Sequence, residues 1–160
     1  MQFATEVFSQ NLGGLGAGLN LALVTLGPIT DRALDETLTW SEAGGRFPWE
    51  GVATWKARDP KAFDISIWYD AELCGLCYAS PRRSAIRIKL LLLEGRPGDS
   101  HPLKGYVLGL ALTAIAHYAR SLGLQFIEVD APLEGAIPMY LAVGFVFDLA
   151  GRLVIAVSDA

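Results

Sequence analysis

The sequence predicts a single α/β domain built on one mixed, mostly antiparallel sheet flanked by helices. Three observations carry that expectation. The 160 residues are 52% hydrophobic with a formal net charge of −4, which is one domain's length, apolar enough for a core and too weakly charged for disorder. Residues 63–93 fall into three strand-like runs separated by turn signals, the pattern of consecutive antiparallel strands. On either side, strand-like and helix-like stretches alternate, and such elements pack as layers around one sheet.

Residues 1–18 are poorly patterned and finish in Gly13-Gly14-Leu15-Gly16-Ala17-Gly18, expected as a lead-in to a domain spanning 19–160. A dinucleotide fingerprint needs a strand before its glycines and a helix after them, and neither flanks this cluster. Leu21 to Leu26 reads as the first strand, closed by Gly27-Pro28. Thr30 or Asp31 can cap a helix running to about Glu42, stopped by Gly44-Gly45. Pro48 opens a second short helical stretch to about Arg58, with Trp49, Val52 and Trp55 at helical spacing.

Phe63 to Tyr69 alternates, Asp70-Ala71-Glu72 turns, and Leu73 to Ala79 returns as a hairpin. After the turn Ser80-Pro81-Arg82-Arg83-Ser84, Ala85 to Leu93 alternates and then ends in four consecutive leucines. That shift predicts a strand half-exposed at its start and buried on both faces at its end. A polar loop, Glu94 to Lys104, leads to a helix from about Gly105 to Leu122, apolar nearly all round and stopped by Gly123. Gln125 to Asp130 is a short strand and Ile137 to Val143 a short helix ended by Gly144. Phe145-Val146-Phe147 and Leu153 to Val157 form a closing hairpin whose consecutive apolar residues call for cover on both faces.

Composition excludes several classes. A sequence pI near 5.1 lacks the global footprint of a nucleic-acid binder, so nucleic acid is not an expected partner. The longest apolar run, Tyr106 to Ala116, is about half the length a bilayer requires, roughly 20 residues. No Lys or Arg precedes Arg32, which argues against a signal peptide. Two cysteines make no disulfide framework. The expectation is a soluble, cytoplasmic protein with no metal. Cys74 and Cys77 spell Cys-x-x-Cys, but a period-two strand sends positions three apart to opposite faces, so both read as structural. Asp99-Ser100-His101 has triad residue types at consecutive positions and reads as a turn, since triads converge through the fold. Arg82, Arg83, Arg87 and Lys89 read as a solvated basic hairpin, with an acidic acceptor or an RNA contact left open.

Certain residues carry a family likeness. Glu72-Leu73-Cys74-Gly75-Leu76, Tyr118-Ala119-Arg120 followed by Leu122-Gly123-Leu124, and above all Gly135-Ala136-Ile137-Pro138-Met139-Tyr140-Leu141-Ala142-Val143-Gly144-Phe145 resemble segments of the GNAT acetyltransferase superfamily. The likeness spans about Leu21 to Val157 and is sharpest in the last third. It implies an acetyl-CoA-dependent N-acyltransferase working by direct transfer to an amine acceptor, a small molecule or a macromolecule such as a protein or tRNA. The runner-up is a GNAT-like domain that binds a partner without catalysis. One departure stands out. Counting back from Tyr118, the family's two loop glycines fall on Tyr106 and Leu108, while Gly105 and Gly109 are out of register.

Such a loop holds pyrophosphate because amides at a helix start point at it and glycines allow close approach. The cofactor residues the resemblance implies are Leu92 and Leu93 by their backbone, with Arg96, His101, Lys104, Gly105 and Tyr106 in the loop. Amide formation from a thioester also needs a base for the amine and an acid for the leaving thiolate. Glu94, closing the leucine-rich strand, stands where the resemblance implies a base, which desolvation beside four leucines would suit by raising its pKa; the other reading is a solvated loop carboxylate before Gly95. Tyr140 matches the family's usual proton donor. The exposed edge beside Val157 is expected to pair in a homodimer through residues near Leu153 to Val157, unless Phe3 to Leu15 folds back as its cover.

Overall fold

Strand-forming segments dominate the centre of the chain, and a computed structural model, which describes residues 19–43, 47–98 and 100–160, assembles them into one sheet. The lead-in and the Gly44-Gly45 stop lie outside the described residues. The strands are β1 (Val24–Gly27), β2 (Phe63–Tyr69), β3 (Glu72–Ser80), β4 (Arg87–Gly95), β5 (Phe126–Val129), β6 (Val146–Phe147) and β7 (Leu153–Ala156). Their order is β1-β2-β3-β4-β5-β7-β6. Every neighbouring pair is antiparallel except β4 and β5. The helices are α1 (Asp31–Thr37), α2 (Val52–Arg58), α3 (Val107–Ser121) and α4 (Ile137–Ala142).

The sheet separates two apolar layers. Ile65, Ile67, Cys77, Ile88 and Ile127 pack against α3 on one face. Leu73, Leu76 and Tyr78 pack with Trp40, Trp49 and Val52 of the amino-terminal helical region on the other. α3 ends as expected: Gly123 has φ +73 and Leu124 N donates to Ala119 O at 2.9 Å, a Schellman closure. No helix among the described residues is long and apolar enough to cross a membrane.

Local chemistry explains where the sequence expectations shift. The first strand starts three residues late, because the Asn20 side chain accepts from Ala22 N and winds Leu21–Leu23 into a 3-10 turn. Thr30 does cap α1, accepting from Ala33 N at 3.2 Å. The α-helix nonetheless stops at Thr37 and tightens to a 3-10 turn over Leu38–Ala43. Thr37 and Thr39 donate to the carbonyls of Leu34 and Glu36, and such back-bonding weakens helix interiors.

Two bulges change the faces of the central strands. Ile67 pairs with Gly75 and Trp68 with Leu73, leaving Cys74 as an extra residue. Cys74 and Cys77 therefore both join the α3 layer, against the expectation of opposite faces. Both are buried free thiols. In β4, Tyr78 pairs with Leu92 and Ala79 with Leu90, so Leu91 is the extra residue. The end of β4 is also not buried on both faces: Leu91, Leu92, Leu93 and Glu94 are all half-exposed, because the neighbouring strand stops short of them. The final hairpin departs too. β7 lies between β5 and β6 with Leu153, Ile155 and Val157 buried within the chain. The edge is β6, where Val146 is 60% and Phe147 51% exposed.

Candidate active site

The parallel pair β4–β5 creates the site by parting. Its register covers only Arg87–Leu90 against Phe126–Val129. Asp130 N then donates to Leu90 O at 3.0 Å, and Ala131 takes a left-handed φ of +43, turning the chain away. A non-glycine residue in that region is strained and persists where its surroundings require it. From Leu91 to Gly95, β4 is paired with β3 alone among the described residues. Its other edge has no strand neighbour among the described residues beyond the Asp130–Leu90 bond.

That opening leads to a cavity on each side of the sheet. One, about 220 Å³, is lined by Leu93, Gly95, Val107, Met139 and Tyr140 among others. It lies on the α3 side, a narrow and mostly apolar slot. The second, about 580 Å³, lies on the side of the amino-terminal helices and is lined by Trp55, Arg58, Tyr78, Arg82, Arg83 and Leu92 among others. Leu91 and Asp130 line both. Two reactants entering from opposite faces would therefore meet at the end of β5.

Tyr140 reaches the slot from α4. It is 5% exposed and its ring meets Phe145 edge-on, centroids 5.4 Å apart. Burial first, then the neighbouring Cys77, pushes its hydroxyl up to about 12, so it holds its proton throughout the neutral range. Leu93 lines the slot and Leu92 the larger cavity. Glu94 lines neither. Its Oε1 accepts from Trp49 Nε1 at 2.6 Å and from Phe47 N at 3.3 Å, holding that segment against the strand end.

The loop residues Arg96, His101, Lys104, Gly105 and Tyr106 are absent from both linings. Arg96 bends back: its amide donates to Cys74 O at 2.9 Å and its guanidinium lies 3.4 Å from Glu72. His101 is buried, with a buried Nδ1 that has no partner among the described residues, and burial lowers its pKa. Lys104 is exposed. Gly105 has φ +85, and a Cβ there would meet nothing within 4 Å. Its glycine is therefore required by backbone conformation rather than by crowding. Tyr106 is half-buried against the α3 layer, beside buried Leu103 and Leu108. The helix start still leaves first-turn amides without intrahelical partners, but side chains fill the space that two glycines would leave open.

Sequence reasoning missed Asp130, Tyr78 and Arg58. None belongs to a local motif, and β5's early stop, which brings Asp130 to both cavities, has no signature in composition. Of the amino-terminal tryptophans expected to pack or face substrate, Trp40 and Trp49 are buried and Trp55 reaches a cavity.

No protein-family model matches the chain, and no curated protein sequence matches it. Its architecture is nonetheless shared: the chain has the fold seen in solved GNAT N-acetyltransferases. It is similar to Ard1 from Thermoplasma volcanium at 11% identity and TM-score 0.62, covering 84% of this chain and 97% of that one. A spermidine N-acetyltransferase from Vibrio cholerae superposes at 16% identity and TM-score 0.56, with 86% and 95% covered. An aminoglycoside 6'-N-acetyltransferase complexed with coenzyme A superposes at 14% identity and TM-score 0.55, with 83% and 97% covered.

Proposed function

We propose that the protein is an acetyl-CoA-dependent N-acyltransferase acting by direct transfer to an amine. The observation that carries this reading is the opening between β4 and β5, with a cavity on each face and Leu91 and Asp130 lining both. The coenzyme would supply an activated thioester. The narrow α3-side slot fits a thin acyl arm, and the unpaired edge of β4 beyond Leu90 offers it backbone bonds. The loop fits less well, leaving the first-turn amides of α3 and Lys104 as the groups that would meet pyrophosphate.

The amine nitrogen attacks the thioester carbonyl and loses a proton, while the carbon–sulfur bond breaks and the thiolate gains one. Asp130 is the carboxylate lining both cavities and accepts the first proton, directly or through water. Tyr140, kept protonated by burial, donates the second. Glu94 acts through the Phe47–Trp49 segment that it holds.

A second reading has its own observation. Leu103, Tyr106 and Leu108 fill the cofactor loop, and the Arg96 amide is already engaged, as suits a GNAT-fold binding module that has lost the coenzyme. Calorimetric titration with acetyl-CoA separates the two. Saturable heat and a rise in Tm support the transferase. Neither signal at millimolar ligand overturns it in favour of the module.

A further inference from the structure

We infer that the larger cavity admits an amine whose far end carries an anionic group, a carboxylate or phosphate, on an apolar body. Calling this ligand the acceptor rests on the acetyl-transfer reading. The inference about its chemistry rests on the cavity itself.

The first observation is charge. Arg58 closes α2, and Arg82 and Arg83 form the β3–β4 turn; all three line the cavity and are exposed. None has an ion-pair partner among the described residues. Asp59, a carboxylate in the same lining, accepts a hydrogen bond from the Ser80 hydroxyl, so the three guanidiniums outnumber the lining carboxylates Asp59 and Asp130. Three unpaired guanidiniums around one cavity suit a carboxylate or phosphate, which they can bind with two parallel hydrogen bonds.

The second observation is strain. Arg82 has φ 48 and Arg83 φ 65, and Ser84 N donates to Pro81 O at 2.8 Å. Two left-handed central residues under that bond are the signature of a type I′ turn, which strongly prefers Asn-Gly. A chain that puts two arginines there accepts a backbone disfavoured for both. Such outliers gather at ligand-binding sites, where the side chains repay the distortion.

The third observation is polarity along the cavity. Asp130, whose Oδ1 lies 3.9 Å from Lys89 Nζ, sits at the end of β5, and Tyr78 lies on β3, two strand spacings away, roughly 10 Å. An ammonium end attracted to Asp130 would therefore present its nitrogen where the two cavities meet. Its anionic end would point to the arginine turn. Between them, half-buried Trp55, its ring tilted 58° against that of buried Tyr78 with centroids 5.3 Å apart, gives the cavity an apolar wall. The volume of about 580 Å³ is that of a small-molecule site. A polycation such as spermidine meets like charges here.

The test is calorimetric titration of the full chain, without acetyl-CoA, with 4-(aminomethyl)benzoate, its uncharged benzamide analogue and 4-(aminomethyl)phenylphosphonate. The double variant Arg82→Asn/Arg83→Gly removes both guanidiniums and installs the pair that the turn prefers, so its Tm should hold or rise. The expected result is saturable binding of the carboxylate or phosphonate, about tenfold or more tighter than the benzamide, and lost by about tenfold or more in the variant. Whichever anion binds tighter identifies the group. Equal affinity for the benzamide, undiminished binding in the folded variant, or no saturable binding at millimolar ligand overturns the inference. So does binding of bulk tRNA, abolished by the same variant, with none of the small amines. Anion binding that depends on the arginines in a protein that ignores acetyl-CoA would remove the transferase reading and leave the ligand class standing.

Discussion

Tyr140 tests the chemistry at the level of one oxygen atom. Tyr140→Phe keeps the ring and its edge-on contact with Phe145, so the fold should survive. Acetyl transfer, followed as coenzyme A release with a working acceptor, should slow by about 10²–10⁴-fold, the usual loss on removing a general acid. An unchanged rate would make the tyrosine a packing residue. Gly75 tests packing in the same way. A Cβ there would lie 2.6 Å from Val107 Cγ1, the branch of a stiff side chain. Gly75→Ala should therefore lower stability by about 1–3 kcal/mol through overpacking. Val107→Ala in the same chain should recover much of that loss, a coupling that a double-mutant cycle in denaturant measures. Tyr140 and Gly75 were both legible in the sequence because each belongs to a local motif. Asp130 was not, because only the point at which β5 ends brings it to the site.

Among the elements, the β6–β7 connection carries its own pH response. Asp148 Oδ1 accepts from Ala150 N and Arg152 N, and Oδ2 accepts from Arg152 Nε at 2.8 Å. The backbone bond from Arg152 leads in holding this carboxyl below its ordinary value. A depressed folded pKa adds stability that is present above the ordinary aspartate range and lost as pH falls through the folded value. Acid titration of the hairpin should show that loss, and Asp148→Asn, which can still accept from the amides but carries no charge, should flatten it. Regular strands were the easiest elements to read: β2 runs from Phe63 to Tyr69 as its alternation predicts. The bulges at Cys74 and Leu91 were invisible, since one extra residue changes no composition. They nonetheless decide which side chains face α3 and how β4 opens.

On the scale of the molecule, the fold was legible from element order and the late-helix motif, while the second cavity was not. Trp55, Tyr78, Arg82 and Asp130 come from a helix, a strand, a turn and a strand end, and only the tertiary structure gathers them. Of the residues expected at a dimer contact, Leu153, Ile155 and Val157 pack within the chain, while Val154 and Ala156 are half-exposed. Exposed apolar residues gather in sequence at Met139, Leu141 and Val143 and on the β6 edge at Val146 and Phe147, each at least 42% exposed. If two copies pair, they should do so there. Light scattering at micromolar concentration should then report a dimer that Phe147→Lys converts to a monomer. A wild-type monomer would end the dimer proposal.

The bulge at Cys74 has one more consequence. By turning both thiols toward α3, it makes them a built-in clock for the separation of helix and sheet. Burial raises the pKa of each, so little reactive thiolate exists while that layer is closed. A thiol reagent then modifies the protein only as fast as the layer opens, and its rate measures the free energy of that opening. Ligand held in the slot, where Val107 of α3 forms one wall, should slow the clock by favouring the closed form.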